Sequence, residues 1–247
     1  GSTAIVEMAE ASGMGLVKPE ERDAEAASTF GTGELLVAAA NTGAKRILVA
    51  VGGSATTDGG AGCIEAVREA GGIGDVELVV LCDVTVHWAQ APSMFAPQKG
   101  ADPAAVARLE DRLSRLAQEL PRDPTGIPRT GAAGGLAGGL WAVLGAELAS
   151  GADWMMDAVA FDDRVKSADI VVTGEGRLDR QSSEGKLVGA ILQRTAREGV
   201  STIAAVGQND LDERAFKEMG LTAVIEAGTL EELRDFGESL PSIPGSH

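Results

Sequence analysis

The chain has 247 residues, of which 44% are hydrophobic, and a formal net charge of −16. That length is enough for one large or two small domains with a real core, and the apolar content argues against wholesale disorder. The acidity excludes proteins that grip nucleic-acid backbones or anionic membranes, but not small anionic ligands, because backbone dipoles and a few cations can dominate a cleft.

Alternating strands, glycine loops and helices run through the chain. Ala4–Met8 is a short strand, and Gly31-Thr32-Gly33 opens a helix from Glu34 to Asn41. Arg46–Val51 is an apolar, β-branched run of the kind found in buried parallel strands. It ends in Gly52-Gly53-Ser54-Ala55-Thr56-Thr57-Asp58-Gly59-Gly60-Ala61-Gly62, after which Cys63–Ala70 reads as a helix. A second buried strand, Val76–Leu81, ends at Cys82-Asp83-Val84-Thr85. Asp102-Pro103 caps a long amphipathic helix from Ala104 to about Leu120. The polar segment from Pro121 to Pro128 reads as a loop or a domain crossing. Gly131–Leu136 starts a helix expected to run through Leu148, and Asp153–Phe161 is expected to be helical. Asp169–Thr173 is a third buried strand, followed by a turn, Gly174–Asp179, and a helix, Lys186–Glu198. Thr202–Val206, Glu213–Met219 and Ala223–Glu226 complete the series as strand, helix and strand. Such alternation implies an α/β fold with a parallel sheet covered on both faces.

Ligands of parallel α/β sheets sit outside the carboxyl ends of the strands, and three strands here end in polar segments. In the first, Gly52, Gly53, Gly59 and Gly60 let backbone N–H groups approach an anion, while Ser54, Thr56 and Thr57 offer hydroxyls and Asp58 a carboxylate. The order is neither that of a P-loop nor that of a dinucleotide fingerprint. A tight turn with a capping Asp is the alternative. In the second, Asp83 can hold Mg²⁺ through water, accept a hydroxyl proton, or cap a helix. In the third, Glu175 and Asp179 can bind a metal or a hydroxyl, Arg177 can clamp an anion, and Lys186 can neutralise developing charge. A solvated turn with surface ion pairs is the alternative. Gln98 and Lys99 set an amide and a cation beside Gly100, and Gly131–Leu136, with Gly134, resembles an anion-binding helix start. His87 has no visible partner and is read as structural, and Trp141 and Trp154 as core. Cys63 and Cys82 read as buried thiols of a reducing cytoplasm. No run reaches membrane-spanning length and no signal peptide opens the sequence.

Taken in order, these segments resemble the class-I glycerate kinase family. The matching stretches are Val6–Gly13, Thr29–Leu35, Gly52–Gly62, Cys82–Thr85, Phe95–Gly100, Gly131–Leu136 and Thr173–Asp179 with Gln181 and Lys186. The resemblance implies two α/β domains. One is flavodoxin-like, formed by residues 1–19 with 127–247, and the other is inserted as residues 20–126 and carries the Gly-rich loop. It implies transfer of the ATP γ-phosphate to a glycerate hydroxyl, with Mg²⁺, giving the 2-phosphate or the 3-phosphate. On that reading Asp83 or Asp58 orients or deprotonates the hydroxyl, and Lys186 joins the catalytic set. Gly52, Gly53, Ser54, Thr56, Thr57, Gly59, Gly60, Gln98, Lys99, Gly134, Arg177 and Gln181 bind substrate or phosphate, and Glu175 and Asp179 hold the metal. The expected partners are glycerate and ATP, with no nucleic acid and no membrane, in a cytoplasmic protein for which a homodimer is allowed. The family's opening strand with Asp-Ser-Phe-Lys-Gly is absent, so the chain is expected to begin after it. Val86-His87-Trp88 and Ala96 also depart from the family pattern. Two other readings are a truncated or engineered remnant that binds without turnover, and an unrelated sugar-acid dehydrogenase, for which no NAD fingerprint is present.

Overall fold

The computed structural model describes residues 2–179 and 187–240. The chain divides into two compact units, Gly1–Gly151 and Ala152–His247. This division differs from the expected boundaries at 19/20 and 126/127. Residues 3–7 hydrogen-bond along residues 46–50 in one sheet, and buried Leu136 and Leu140 share a core with Ile47, Val49 and Val80. Those contacts place both flanks with the segment expected as an insertion.

The first unit is built on a four-stranded parallel sheet in the order β1 (Thr3–Glu7), β2 (Arg46–Ala50), β3 (Glu77–Leu81), β4 (Glu147–Ala149). Its helices are α1 (Ala9–Ser12), α2 (Phe30–Asn41), α3 (Ala61–Glu69), α4 (Ala91–Phe95), α5 (Pro103–Glu119) and α6 (Leu136–Leu144). The three central residues of β2 and of β3 are buried, as their uninterrupted apolar runs predict for strands covered on both faces. Val6, Met8, Leu36, Ile47, Val67, Leu78 and Leu140 form the main core. Each such side chain contributes about 1.5–3 kcal/mol by leaving water. Asp102 caps α5, accepting the Ala105 N–H at 2.7 Å.

The helix expected through Leu148 stops at Leu144. Gly145, at φ +73°, closes it and Leu148 lies in β4, paired with Val80. Of the tryptophans, Trp88 is the fully buried one, its Nε1 donating to the Leu113 carbonyl at 2.9 Å. Trp141 and Trp154, expected as core, are only half-buried, and the Arg122 guanidinium lies 4.1 Å above the Trp141 ring.

The second unit holds α7 (Gly151–Ala158, entering from the first unit), α8 (Phe161–Val165), β5 (Ile170–Leu178), α9 (Leu187–Glu198), β6 (Ser201–Asn209), α10 (Glu213–Met219), β7 (Ala223–Glu226) and α11 (Leu230–Ser239). Its strands form a parallel sheet in the order β5-β6-β7. The expected helix 153–161 is two helices, broken where Ala160 adopts φ +51°. The expected turn after Thr173 is strand as far as Leu178, because β6 is itself nine residues long and pairs Glu175 with Val206 and Arg177 with Gln208. Gly174 is there for close approach, since a Cβ would lie 2.4 Å from the Ala205 carbonyl oxygen. Leu178, Val188, Ala204, Val206 and Leu221 form this unit's own core.

Candidate functional site

The Gly52–Gly62 loop leaves the carboxyl end of β2 and is fastened on three sides. Toward α1, the Met14 N–H donates to the Gly53 carbonyl at 2.8 Å and the Ala55 N–H to the Ser12 carbonyl at 2.9 Å. Toward α2 and α3, Asp58 accepts from Thr29 N and Oγ1, both at 2.8 Å, from Gly60 N at 3.1 Å and from Gly62 N at 3.2 Å. Its negative charge thereby sits at the N-terminus of α3, where the helix dipole favours it. Toward the segment before α6, the Gly59 N–H donates to the Gly134 carbonyl at 3.0 Å. There Ala133, Gly134 and Gly135 adopt left-handed backbone in succession, at φ +54°, +64° and +92°. A Cβ on Gly134 would lie 2.1 Å from the Thr56 carbonyl oxygen, so only glycine fits.

Above this scaffold lies a cavity of about 420 Å³. Gly52, Gly53, Ser54, Asp83, Gln98 and Lys99 line it, among apolar residues that include Met14, Val84, Phe95, Ala132 and Ala133. Asp83 follows directly from β3 through Cys82, is exposed, and accepts a 3.4 Å hydrogen bond from the Ser150 hydroxyl. Lys99 is 2% exposed, and its Nζ donates to Ser54 Oγ at 2.8 Å and to the Thr56 carbonyl at 2.6 Å. Burial pushes its ammonium down to about 8, opposed by the negative charge of Asp58. A cavity wall holding a lysine ammonium, loop amides and a carboxylate at adjacent strand ends can receive an anion and orient a hydroxyl.

The residues expected around this site therefore divide. Gly52, Gly53, Ser54, Asp83, Gln98 and Lys99 share the cavity. Thr56, Thr57, Asp58, Gly59, Gly60 and Gly134 lie in the scaffold that shapes it. The carboxylate of Asp58 is fully engaged as a loop clamp, a geometry that does not support the expected role as catalytic base. The hydroxyls of Thr56 and Thr57 are sealed inside without a hydrogen-bond partner, and Thr56 acts through its carbonyl. The Cys63 and Cys82 thiols are free, and burial raises them to about 12 and about 11, which keeps them protonated. His87 is structural, as expected, forming a capping box with Gln90. Arg129 carries no signal in the sequence. It adopts φ +74° and donates to the Cys82 carbonyl at 2.5 Å, bracing the turn that presents Asp83.

In the second unit, Arg177 makes its ion pair with Asp210, 2.7 Å from Nε to Oδ2, which with Gln208 holds the Asp210 carboxyl below its usual range. An anion would have to compete with that pair. Glu175 has a buried Oε1 without a hydrogen-bond partner, and Asp179 follows the end of β5. Among the described residues no three His, Cys, Asp or Glu side chains gather around a potential metal position. Lys186 and Gln181 lie outside the described residues. A separate cavity of about 510 Å³ between α9 and α10 has a largely apolar wall of Leu192, Ala196, Leu211, Ala215 and Met219 and includes no residue expected to bind.

Parallel α/β units with a glycine loop and a buried ammonium beside the strand ends belong to the class of folds whose loops are suited to small anions. Comparison with known proteins narrows this class. The sequence pattern of the Glycerate kinase family matches residues 1–71 and 67–236, and the chain belongs to that family. It is 37% identical to a glycerate kinase of Halalkalibacterium halodurans over 96% of this chain and 73% of that protein. It is 34% identical to the glycerate 2-kinase of Escherichia coli K12 over 94% of this chain and 71% of that protein. A crystal structure from Salmonella typhimurium LT2, provisionally assigned as glycerate kinase 2, superposes with a TM-score of 0.74 at 31% identity, covering 96% of this chain and 72% of that one. An uncharacterized protein of Mycobacterium bovis is 42% identical over 91% of this chain, which spans 62% of that relative's length.

Proposed function

We propose that this protein transfers the γ-phosphate of ATP to a hydroxyl of glycerate, giving 2-phosphoglycerate or 3-phosphoglycerate. The observation that carries this reading is the meeting of Lys99, Asp83 and the Gly52-Gly53-Ser54 backbone on one cavity wall. Phosphoryl transfer depends on positioning and on neutralising charge more than on covalent chemistry. Lys99 and the loop amides supply fixed positive potential for an anionic group, and the Ser54 hydroxyl, already bonded to Lys99, orients it. Asp83 orients the attacking hydroxyl and accepts its proton. Gln98, on the same wall, offers an amide to a substrate oxygen.

Glu175 and Asp179 are the residues that would hold Mg²⁺. The orphaned Oε1 of Glu175 fits a cation that takes one or two carboxylates and completes its shell with water and phosphate oxygens. Mg²⁺ supplies charge neutralisation on the phosphates when bound. Arg177, Gln181 and Lys186 are assigned to phosphate contact in the same reading. The described residues include no helix long and apolar enough to cross a membrane, and a cytoplasmic location accords with the two free, buried thiols.

The test is ADP formation from ATP and Mg²⁺ with glycerate, for the protein and for Asp83→Asn. Turnover is expected to fall at least about 100-fold in the variant, the usual scale for a general base. Unchanged turnover removes Asp83 from the mechanism. Calorimetric binding of an ATP analogue by a protein that forms no ADP supports the non-catalytic remnant instead.

A further inference from the structure

A smaller cavity, about 240 Å³, shares Lys99 and Met14 with the one that contains Asp83. Arg22, which no sequence motif singled out, stands on its wall together with Val17, Ala26, Ala27 and Ala55, and with two acidic residues, Glu21 and Asp23. The Arg22 NH1 donates to the Gln98 carbonyl at 3.2 Å, and its Nε is sealed from solvent without a partner. Gly100, at φ +94°, lets the 97–100 turn press against this residue, since a Cβ there would lie 2.4 Å from the Arg22 carbonyl oxygen. Arg22 and Lys99 thus both line one compartment, each held by a hydrogen bond to a backbone carbonyl.

The carboxylates of this wall and of the adjoining loop each have a partner other than Arg22. Glu21 pairs with Lys18, Asp23 accepts the N–H groups of Glu25 and Ala26, and Asp58 clamps the loop. A guanidinium N–H sealed from water without a partner is costly, and a carboxylate oxygen placed against it removes that cost. The planar guanidinium matches a carboxylate's two oxygens. The cavity is below the usual size for a drug-sized ligand, so a nucleotide does not fit it, whereas an acid group with an adjoining carbon does.

We propose that Arg22 and Lys99 bind the carboxylate of the hydroxy-acid substrate in this smaller cavity, directing the rest of the acid toward Asp83. The proposal rests on the kinase reading above and adds the feature that selects an acid over a neutral alcohol.

The experiment is calorimetric titration of glycerate, without nucleotide, into the wild-type protein, Arg22→Met and Arg22→Lys, with glycerol as the uncharged comparator. KM for glycerate and for ATP is measured alongside. Wild type is expected to prefer glycerate to glycerol. Arg22→Met is expected to weaken glycerate at least about tenfold while KM for ATP moves less than about twofold, and Arg22→Lys is expected to recover part of the loss. Equal glycerate affinity in all three proteins, or equal affinity of wild type for glycerate and glycerol, overturns it. Absence of ADP formation in wild type refutes the kinase reading alone, because the titration still decides the carboxylate site. Circular dichroism identifies a variant that fails to fold, and the other variant then carries the comparison.

Discussion

Lys99 is the residue whose environment has the most measurable consequence. Its folded value of about 8 lies below its ordinary 10.5, so between those pH values the unfolded chain binds more protons and stability rises with pH. The span is on the order of 3 kcal/mol at most. The two thiols act in the opposite sense. Raised from 9.0 to about 12 and about 11, Cys63 and Cys82 contribute stability that is complete below pH 9 and lost as the pH climbs through the folded values. Urea midpoints of wild type should therefore be nearly flat below about pH 8, rise from there to about 9 and fall beyond it. In Lys99→Met the initial rise should vanish while the alkaline fall persists. Gly134→Ala should cost roughly 2–4 kcal/mol in the same urea assay, because it combines left-handed strain with a backbone collision. Of these features the sequence displayed the identities but not the roles. Gly-Ser-Ala-Thr-Thr-Asp announced a ligand loop, yet nothing local revealed that Asp58 is consumed by four donors or that Thr56 and Thr57 point inward. Arg22 and Arg129 owe their positions to tertiary contacts with the carbonyls of Gln98 and Cys82, which no single sequence window contains.

At the level of elements, the periodic segments were legible and the long ladder was not. The β2 and β3 runs and the Asp102-Pro103 start of α5 each lie within a residue or two of their expected bounds, because burial on both faces and an N-cap leave local marks. Asp102→Ala should lower stability by about 1 kcal/mol through loss of that cap. The extent of β5 was hidden, since Gly-Glu-Gly-Arg reads as a turn until a partner of equal length is present. The break between α7 and α8 was hidden for a different reason: alanine gives no warning of a left-handed conformation. Ala160→Gly should relieve that strain and stabilise the protein by up to about 1 kcal/mol, read as a higher urea midpoint with unchanged slope.

For the whole molecule, the charge of −16 sets the long-range behaviour. The mapped ion pairs are mostly exposed on one side or both and contribute little singly, so self-repulsion should dominate the salt response. Raising NaCl from 0.02 to about 0.3 M should increase Tm through screening. A fall would mean that the surface pairs outweigh the repulsion. The α/β class followed from strand–helix alternation, whereas the division near residue 151 did not. Nothing in the composition distinguishes β1 and α6 from the segments they flank, and only their pairing and packing assign them to the first unit.

The left-handed Ala133–Gly135 segment has a consequence for synthesis as well as for shape. The Gly52–Gly62 loop is completed by a residue far downstream, so a nascent chain that has not yet emerged past Gly134 exposes that loop without its lock. Closure across so wide a sequence separation carries a large loop entropy and tends to come late. The site is therefore among the last parts of the first unit to acquire its final form, and ribosome-bound fragments ending before position 134 should bind no acid.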